Sequence, residues 1–133
     1  LLNDDDRSLP FGDGEFDIVL ANSVIEHVTL PKERCRVEMR VDQYEWEREA
    51  RAAQTRFAEE VRRVGRSYFV QTPHRHFPIE QHLHLPFAQY LSHNSLCRLV
   101  TWTDRFWIKS CQGIVDWELL SSRDMERLFP GCR

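Results

Sequence analysis

Apolar positions form two strand-length runs in the chain, and a long amphipathic segment separates them. Residues 16–21 are almost continuously apolar, include β-branched side chains, and follow a glycine-rich turn signal at residues 12–14. A near-continuous run of this length predicts a strand that is covered on both faces, as in a parallel sheet. Residues 67–72 form the second run, which ends at Pro73, and they predict a second strand.

The segment between the two runs carries a single helical stripe. Its apolar residues are three or four positions apart, which places them on one face of a helix; they are Trp46, Ala50, Ala53, Phe57, Val61 and Val64. Gly65 follows the last of them and predicts the end of this helix. Strand, helix and strand in this order predict a βαβ unit with a right-handed crossover in a parallel α/β sheet. Residues 34–42 alternate with a period of two, which fits a strand as well as a helix, so both stay open.

Shorter elements have weaker patterns. Asn22 and Ser23 are expected to cap a short helix over residues 24–28. Residues 73–86 contain four histidines and three prolines, and this composition predicts a loop. Residues 121–129 begin with a Ser-x-x-Asp capping pattern, which predicts a second short helix.

Composition restricts the class of protein. The chain has 133 residues, of which 41% are hydrophobic and 29% are charged, and this suits one globular domain. The formal net charge of -3 leaves no excess of positive charge to coat a nucleic acid. No apolar run approaches the ~20 residues of a membrane span. The four cysteines are scattered without a C-x-x-C pair, which argues against a zinc ribbon or a disulfide scaffold and favours a cytoplasmic protein.

Four segments resemble a known enzyme family, in the order in which that family has them. Residues 5–19 contain an acidic residue, Leu-Pro-Phe, a turn and Phe-Asp, and residues 24–28 contain Glu-His-Val. Together they resemble the central block of class I S-adenosylmethionine-dependent methyltransferases of the type 11 group. Residues 60–73 resemble the helix and strand that follow in that family, and residues 119–131 resemble a late segment. The similarity therefore spans most of the chain.

The resemblance implies a Rossmann-like parallel sheet with flanking helices, and S-adenosyl-L-methionine as the cofactor. In relatives, the acidic position before Leu-Pro-Phe accepts a hydrogen bond from the adenine amino group, and the next residue contacts the ring through its backbone. The first residue after the Phe-Asp strand faces the methionine end of the cofactor. In this chain these positions are Asp5, Asp6 and Asn22. The resemblance supplies no catalytic base and no metal ligand, and it leaves the methyl acceptor unidentified.

Two features of the family are missing from the sequence. These are the glycine-rich loop after the first strand and the acidic residue after the second strand. Residues 1–133 are therefore expected to form a partial methyltransferase domain, incomplete at the N-terminus and at the C-terminus. Residues 32–55 exceed the family's usual connection and are interpreted as an insertion. Residues 73–118 are interpreted as a substrate-side loop, with residues 74–87 at the acceptor pocket, followed by an aromatic-rich cover segment.

Plainer roles stay open for several of these residues. The acidic run around Asp5 and Asp6 also fits a solvated loop, and Asn22 also fits a helix cap. His27 has the chemistry of a general base, but a helix histidine can equally serve only to pack or to hydrogen-bond. The aromatic residues of the last third are expected to form core or to cover the sheet: Trp102, Phe106, Trp107 and Trp117.

The histidine-rich loop supports a different hypothesis. His74 and His76 form one H-x-H pair, His82 and His84 form another, and Glu80 lies between the pairs. Side chains two positions apart share one face of a strand, so either pair can chelate zinc, although relatives have a metal-free loop here. Two alternatives to methyl transfer follow: a non-catalytic binding module that keeps the sheet, and a His-rich metal-binding protein with metal-dependent hydrolytic activity.

Overall fold

A parallel pair of strands joined by one long helix forms the centre of the fold. The computed structural model describes residues 8–36, 41–80, 82–106 and 113–131. Strand β1 (Phe16–Asn22), helix α1 (Gln43–Val64) and strand β2 (Gly65–Gln71) follow one another, and β1 and β2 pair in parallel. The mixed α/β class and the βαβ unit predicted from the sequence are therefore confirmed.

Helix α1 is capped by Asp42 at its start and by Gly65 at its end. The Asp42 side chain accepts hydrogen bonds from the backbone N–H groups of Tyr44 and Glu45, which satisfies two of the free donors of the first turn. The predicted stripe is confirmed, because five of its six residues are buried and Phe57 is half-buried. The helix ends at Gly65, which is also the first residue of β2.

The sheet is covered on one face. Val19, Tyr68 and Val70 pack with Val61 of α1 in one hydrophobic cluster. The opposite face carries three large apolar side chains that are 65, 73 and 57% exposed, and these are Ile18, Leu20 and Phe69. The prediction of a strand covered on both faces is therefore wrong for the described residues, since α1 packs against only one face of the pair.

Two further helices and a small hairpin complete the described fold. Strands β3 (Ile79–Glu80) and β4 (Leu85–Pro86) pair antiparallel. Helix α2 (His93–Phe106) occupies the aromatic-rich segment, and its buried face joins Leu83 and other residues in a second cluster. Helix α3 (Ser122–Leu128) has the predicted capping box at its N-terminus, so that prediction is confirmed. None of the helices described here is long and apolar enough to cross a bilayer.

Two local assignments differ from the structure or fall partly outside the described residues. Asn22 and Ser23 do not cap a helix: the following element is a single 3₁₀ turn at Ile25–His27, preceded by Val24, without a side-chain cap. The reason is that Asn22 still belongs to β1, and the Ser23 N–H donates to the Gln71 carbonyl at 2.8 Å. The open assignment over residues 34–42 is resolved only at its ends, where Arg36 bridges to Ile114 and α1 has its cap at Asp42.

The aromatic residues of the last third divide between core and surface. Trp117 is buried in the second cluster, as predicted. Trp102 and Phe106 are 61 and 67% exposed on α2, so the prediction that they cover the sheet is wrong. They lie on the outer face of an amphipathic helix whose inner face already supplies Leu96 and Val100 to the core. Trp107 lies outside the described residues.

Candidate functional site

The chain turns sharply where β1 ends, and this turn positions two chemically active side chains. Ile25 is completely buried in the cluster beneath the sheet and anchors the 3₁₀ turn Ile25–His27. Glu26 is also completely buried. One of its carboxylate oxygens accepts a hydrogen bond from the Thr72 hydroxyl at 2.7 Å, just beyond the end of β2. Its other oxygen, Oε1, is buried and has no hydrogen-bond partner among the described residues.

His27 is held by a carboxylate from a distant part of the chain. Its Nδ1 lies 3.2 Å from Oδ1 of Asp116. The hydrogen bond that His27 makes to Asp116 raises the pKa of His27, and burial offsets this rise only in part. The same hydrogen bond lowers the pKa of Asp116. The Nδ1 atom therefore carries the hydrogen in this pair, because an ionised carboxylate can only accept.

His82 is held in the same manner by a second carboxylate. Its Nδ1 lies 2.5 Å from Oε1 of Glu80, which is 1% exposed and also accepts from the Leu83 N–H. Burial raises the pKa of Glu80, but the hydrogen bonds from His82 and Leu83 outweigh it and the net pKa is lowered. The His82 ring stacks on Trp117, with centroids 4.4 Å apart and planes 15° apart. Its orientation is thus fixed on two sides.

The two histidines meet at the carboxyl end of the sheet. Nε2 of His27 and Nε2 of His82 are 3.3 Å apart, and the rings are almost perpendicular. Ligand atoms of Glu26, His27 and His82 all lie within 4.8 Å of one another. Among the described residues, this is the one group of three or more histidine, cysteine or acidic side chains with the spacing of a metal site.

The other histidines of the loop have separate hydrogen-bond partners, although the His74 and His76 rings are neighbours with centroids 5.5 Å apart. His74 Nε2 lies 3.0 Å from the Ser122 hydroxyl, and His76 Nδ1 lies 3.4 Å from the Tyr90 hydroxyl. His84 is exposed and has a left-handed φ of 54°. Chelation by His82 and His84 as a strand pair is therefore not what the described fold offers, because the chain turns between β3 and β4 at that point.

The structure describes one of the three residues that the resemblance assigned to the cofactor site. Asn22 is exposed at the carboxyl end of β1. Asp5 and Asp6 lie outside the described residues. A cleft of about 530 Å³ runs beside β1, between α1 and the chain after the 3₁₀ turn, and its wall is mostly apolar. It is lined by residues that include Leu9, Ala21, Val24 and His27.

The cleft and the carboxyl end of β1 offer different kinds of contact to a ligand. The cleft offers apolar contact for a ring, and Asn22 offers an amide group at the strand end where parallel sheets bind ligands. Asn22 does not line the cleft, so Asn22 and the cleft wall would contact different parts of an S-adenosylmethionine molecule.

The sequence did not reveal the partnership of His27 with His82. These residues are 55 positions apart, and Asp116 is 89 positions from His27. Only the adjacency of Glu26 and His27 and the short spacing of Glu80 and His82 were visible as local signals. Nothing in a local pattern indicates that the two pairs face each other.

Comparisons with protein-family models, with curated proteins and with solved structures give no match for this chain.

Proposed function

We propose that the protein takes part in S-adenosylmethionine-dependent methyl transfer to an acceptor that the chain does not identify. The observation that supports this best is the position of the resembling motifs on the fold. Asn22 and the Glu26 and His27 turn stand at the carboxyl end of β1, in a parallel βαβ unit. Ligands of open parallel α/β sheets bind outside this end of the strands.

We also propose the finer architecture, a Rossmann-like sheet to which this chain contributes the central and C-terminal part. Two features support it. In the described part of the chain, β1 pairs with a strand on one edge only. In addition, Ile18, Leu20 and Phe69 form an apolar face that no described element covers. A larger parallel sheet normally has helices on both faces, which would bury such a surface.

The chain's own residues would bind and orient, because the methyl group of S-adenosylmethionine is already activated by its sulfonium charge. Asn22 is available to hydrogen-bond the methionine end, and the resemblance assigns the adenine end to Asp5 and Asp6. The loop over residues 74–87, which follows β2, is the proposed acceptor side. Alignment of acceptor and methyl group supplies much of the rate in such transfers. No residue is assigned as the catalytic base.

A calorimetric titration with S-adenosylhomocysteine tests this proposal. The natural gene product is used in three forms: the unaltered protein, Asn22→Ala, and Asn94→Ala as the matched control. Asn94 is also exposed but lies on α2. We expect binding by the unaltered protein and by Asn94→Ala, and weaker binding by Asn22→Ala, because one hydrogen bond in a binding site contributes about 0.5–1.5 kcal/mol. Equal affinity in all three forms would remove Asn22 from the site.

The alternative function is a non-catalytic module that keeps the sheet and binds no nucleoside ligand. It predicts no heat from S-adenosylhomocysteine for protein that is folded by circular dichroism.

We also propose a cytoplasmic location. Cys35 and Cys97 are free and buried, which agrees with a reducing environment.

A further inference from the structure

We propose that Glu26, His27 and His82 bind one divalent transition-metal ion, of which zinc is the representative. This proposal is independent of methyl transfer. It rests on three side chains from two separate segments that converge at the carboxyl end of the sheet, with ligand atoms within 4.8 Å of one another. Nitrogen and carboxylate donors together suit zinc and its neighbours in the first transition row, whereas magnesium and calcium prefer sites made of oxygen.

Hydrogen bonds to carboxylates fix the tautomers of the two imidazoles. Each ring presents Nδ1 to a carboxylate, His27 to Asp116 and His82 to Glu80. The hydrogen of each neutral ring is therefore on Nδ1, and each Nε2 carries a lone pair. The two lone-pair atoms lie 3.3 Å apart and face one another. Such an arrangement needs a positive species between the nitrogens, either a metal ion or a shared proton.

The distance between the two imidazole nitrogens matches the geometry of a metal site. Two nitrogens bound to one tetrahedral zinc ion at about 2.0–2.1 Å are about 3.3 Å from each other. The observed separation between the two Nε2 atoms is 3.3 Å. The spacing of a bound site is thus already present between His27 and His82.

Glu26 has a carboxylate oxygen that no described donor satisfies. Its side chain is completely buried, yet Oε1 has no hydrogen-bond partner among the described residues. A buried, unpaired carboxylate oxygen is costly, and a cation offsets that cost better than a neutral donor does. Thr72 donates to the other oxygen at 2.7 Å, so the carboxylate has one oxygen that no described donor satisfies.

The surroundings have the form of an outer shell of a metal site. Histidine ligands commonly donate their second N–H to a carboxylate, which fixes the tautomer and raises the basicity of the ligand nitrogen. Asp116 and Glu80 do this here, and Trp117 fixes the plane of His82 by stacking. Three protein ligands leave one tetrahedral position open, as in zinc sites that bind a water or a substrate oxygen.

Titration of metal-free protein with Zn²⁺, and with Co²⁺ as a spectroscopic substitute, tests the site. We expect one ion per chain and the visible absorption bands of tetrahedral Co²⁺. His27→Ala and His82→Ala remove a ligand, and Glu26→Gln removes the anionic oxygen while keeping the shape of the side chain. Each is expected to weaken zinc binding by more than about 100-fold, because loss of an outer-shell partner alone costs roughly 10- to 100-fold. Asp116→Asn, which changes only an outer-shell partner, is expected to weaken zinc binding by roughly 10- to 100-fold.

Two histidines of the same loop supply matched controls. His76→Ala and His84→Asn each remove an exposed histidine outside the cluster, and asparagine tolerates the left-handed φ of residue 84. Both are expected to bind zinc as the unaltered protein does. If His82→Ala fails to fold because Glu80 is left buried without its partner, His27→Ala decides the question, since the His27 side chain is 39% exposed.

Three results would overturn the proposal. The first is folded protein that binds no zinc and no cobalt, in which case the two nitrogens share a proton. The second is zinc binding that the ligand variants leave unchanged. The third is zinc binding that the His84→Asn or His76→Ala control abolishes, which would assign the ion to the H-x-H pairs. Because no methyl donor takes part in these titrations, their outcome is distinct from that of the S-adenosylhomocysteine titration.

Discussion

The imidazole of His93 lies flat against the indole of Trp46, with ring centroids 3.7 Å apart and planes 16° apart. Both residues are buried, and they join the start of α2 to the start of α1. The His93 backbone N–H also donates to the Gln43 side chain at 2.6 Å. The contact therefore ties together two helices that begin 50 residues apart.

This burial makes the stability of the protein depend on pH. Burial lowers the pKa of His93 from 6.5 to about 4. Below pH 6.5 the unfolded chain binds a proton at this residue and the folded chain does not, so the unfolded state is favoured. We expect the free energy of unfolding to fall as pH falls between 6.5 and 4, by up to about 1.4 kcal/mol per pH unit from this residue.

Urea unfolding of the unaltered protein and of His93→Phe at a series of pH values isolates this effect. Phenylalanine keeps the ring against Trp46 and removes the titrating group. Burial raises the pKa of the nearby Glu118, and the contribution of Glu118 is common to both proteins. The difference in stability between the two should change with pH in this interval, and a difference that stays constant would contradict the assigned pKa.

The junction of α1 and β2 predicts a strong effect of one added methyl group. A Cβ at Gly65 would lie 2.7 Å from Cγ2 of Val19 and 3.0 Å from the Ser67 carbonyl oxygen. We expect Gly65→Ala to destabilise the protein by about 1–3 kcal/mol, since overpacking displaces β1 from β2. Gly12→Ala is the control, because its Cβ would meet only the Glu15 carboxylate at 3.6 Å. Equal unfolding midpoints for the two variants would show that the junction of α1 and β2 can accommodate a Cβ at residue 65 without cost.

Helix α3 depends on its capping box. The Ser121 hydroxyl accepts from the Asp124 N–H, and the Asp124 carboxylate accepts from the Ser121 N–H at 2.9 Å. Ser121→Ala should therefore cost about 1 kcal/mol in thermal or urea unfolding. Ser67→Ala, at an exposed position in β2, should change stability by no more than about 0.5 kcal/mol. A loss at residue 67 as large as the loss at residue 121 would argue against the cap.

The two described cysteines are expected to be unreactive in the folded protein. Burial raises the pKa of the Cys35 thiol and of the Cys97 thiol to about 11. At pH 8 only about one such thiol in a thousand is ionised, and the thiolate is the nucleophile. Alkylation followed by peptide mass spectrometry should therefore label both residues far more slowly in the native protein than in urea. Equal rates in the two conditions would contradict their burial.

The sequence predicts the parts of this fold that depend on local periodicity. The stripe from Trp46 to Val64 and the two apolar runs define α1, β1 and β2, because the period of the side chains follows directly from backbone geometry. The same pattern predicted that both faces of β1 are covered, which is wrong for Ile18 and Leu20 among the described residues. An apolar run shows that a strand can be buried, but it carries no information about which element covers it.

The candidate site was less accessible to sequence reasoning. The assignment of Asn22 to the site rests on the family resemblance and not on the hydrophobic pattern, and in the structure Asn22 is the exposed last residue of β1. The contact between His27 and His82 depends on the path of the chain after β2. It also depends on Asp116 and Trp117, which hold the two rings and come from the last third of the chain. Contacts of such long sequence separation arise from tertiary packing and have no local signature.

A titration of the unaltered protein with S-adenosylhomocysteine tests the proposed function most directly. We expect saturable binding of one molecule per chain, together with a rise in the unfolding temperature as the ligand concentration increases. Absence of both binding and thermal stabilisation, in protein shown to be folded, would contradict methyl transfer and leave the non-catalytic module in its place.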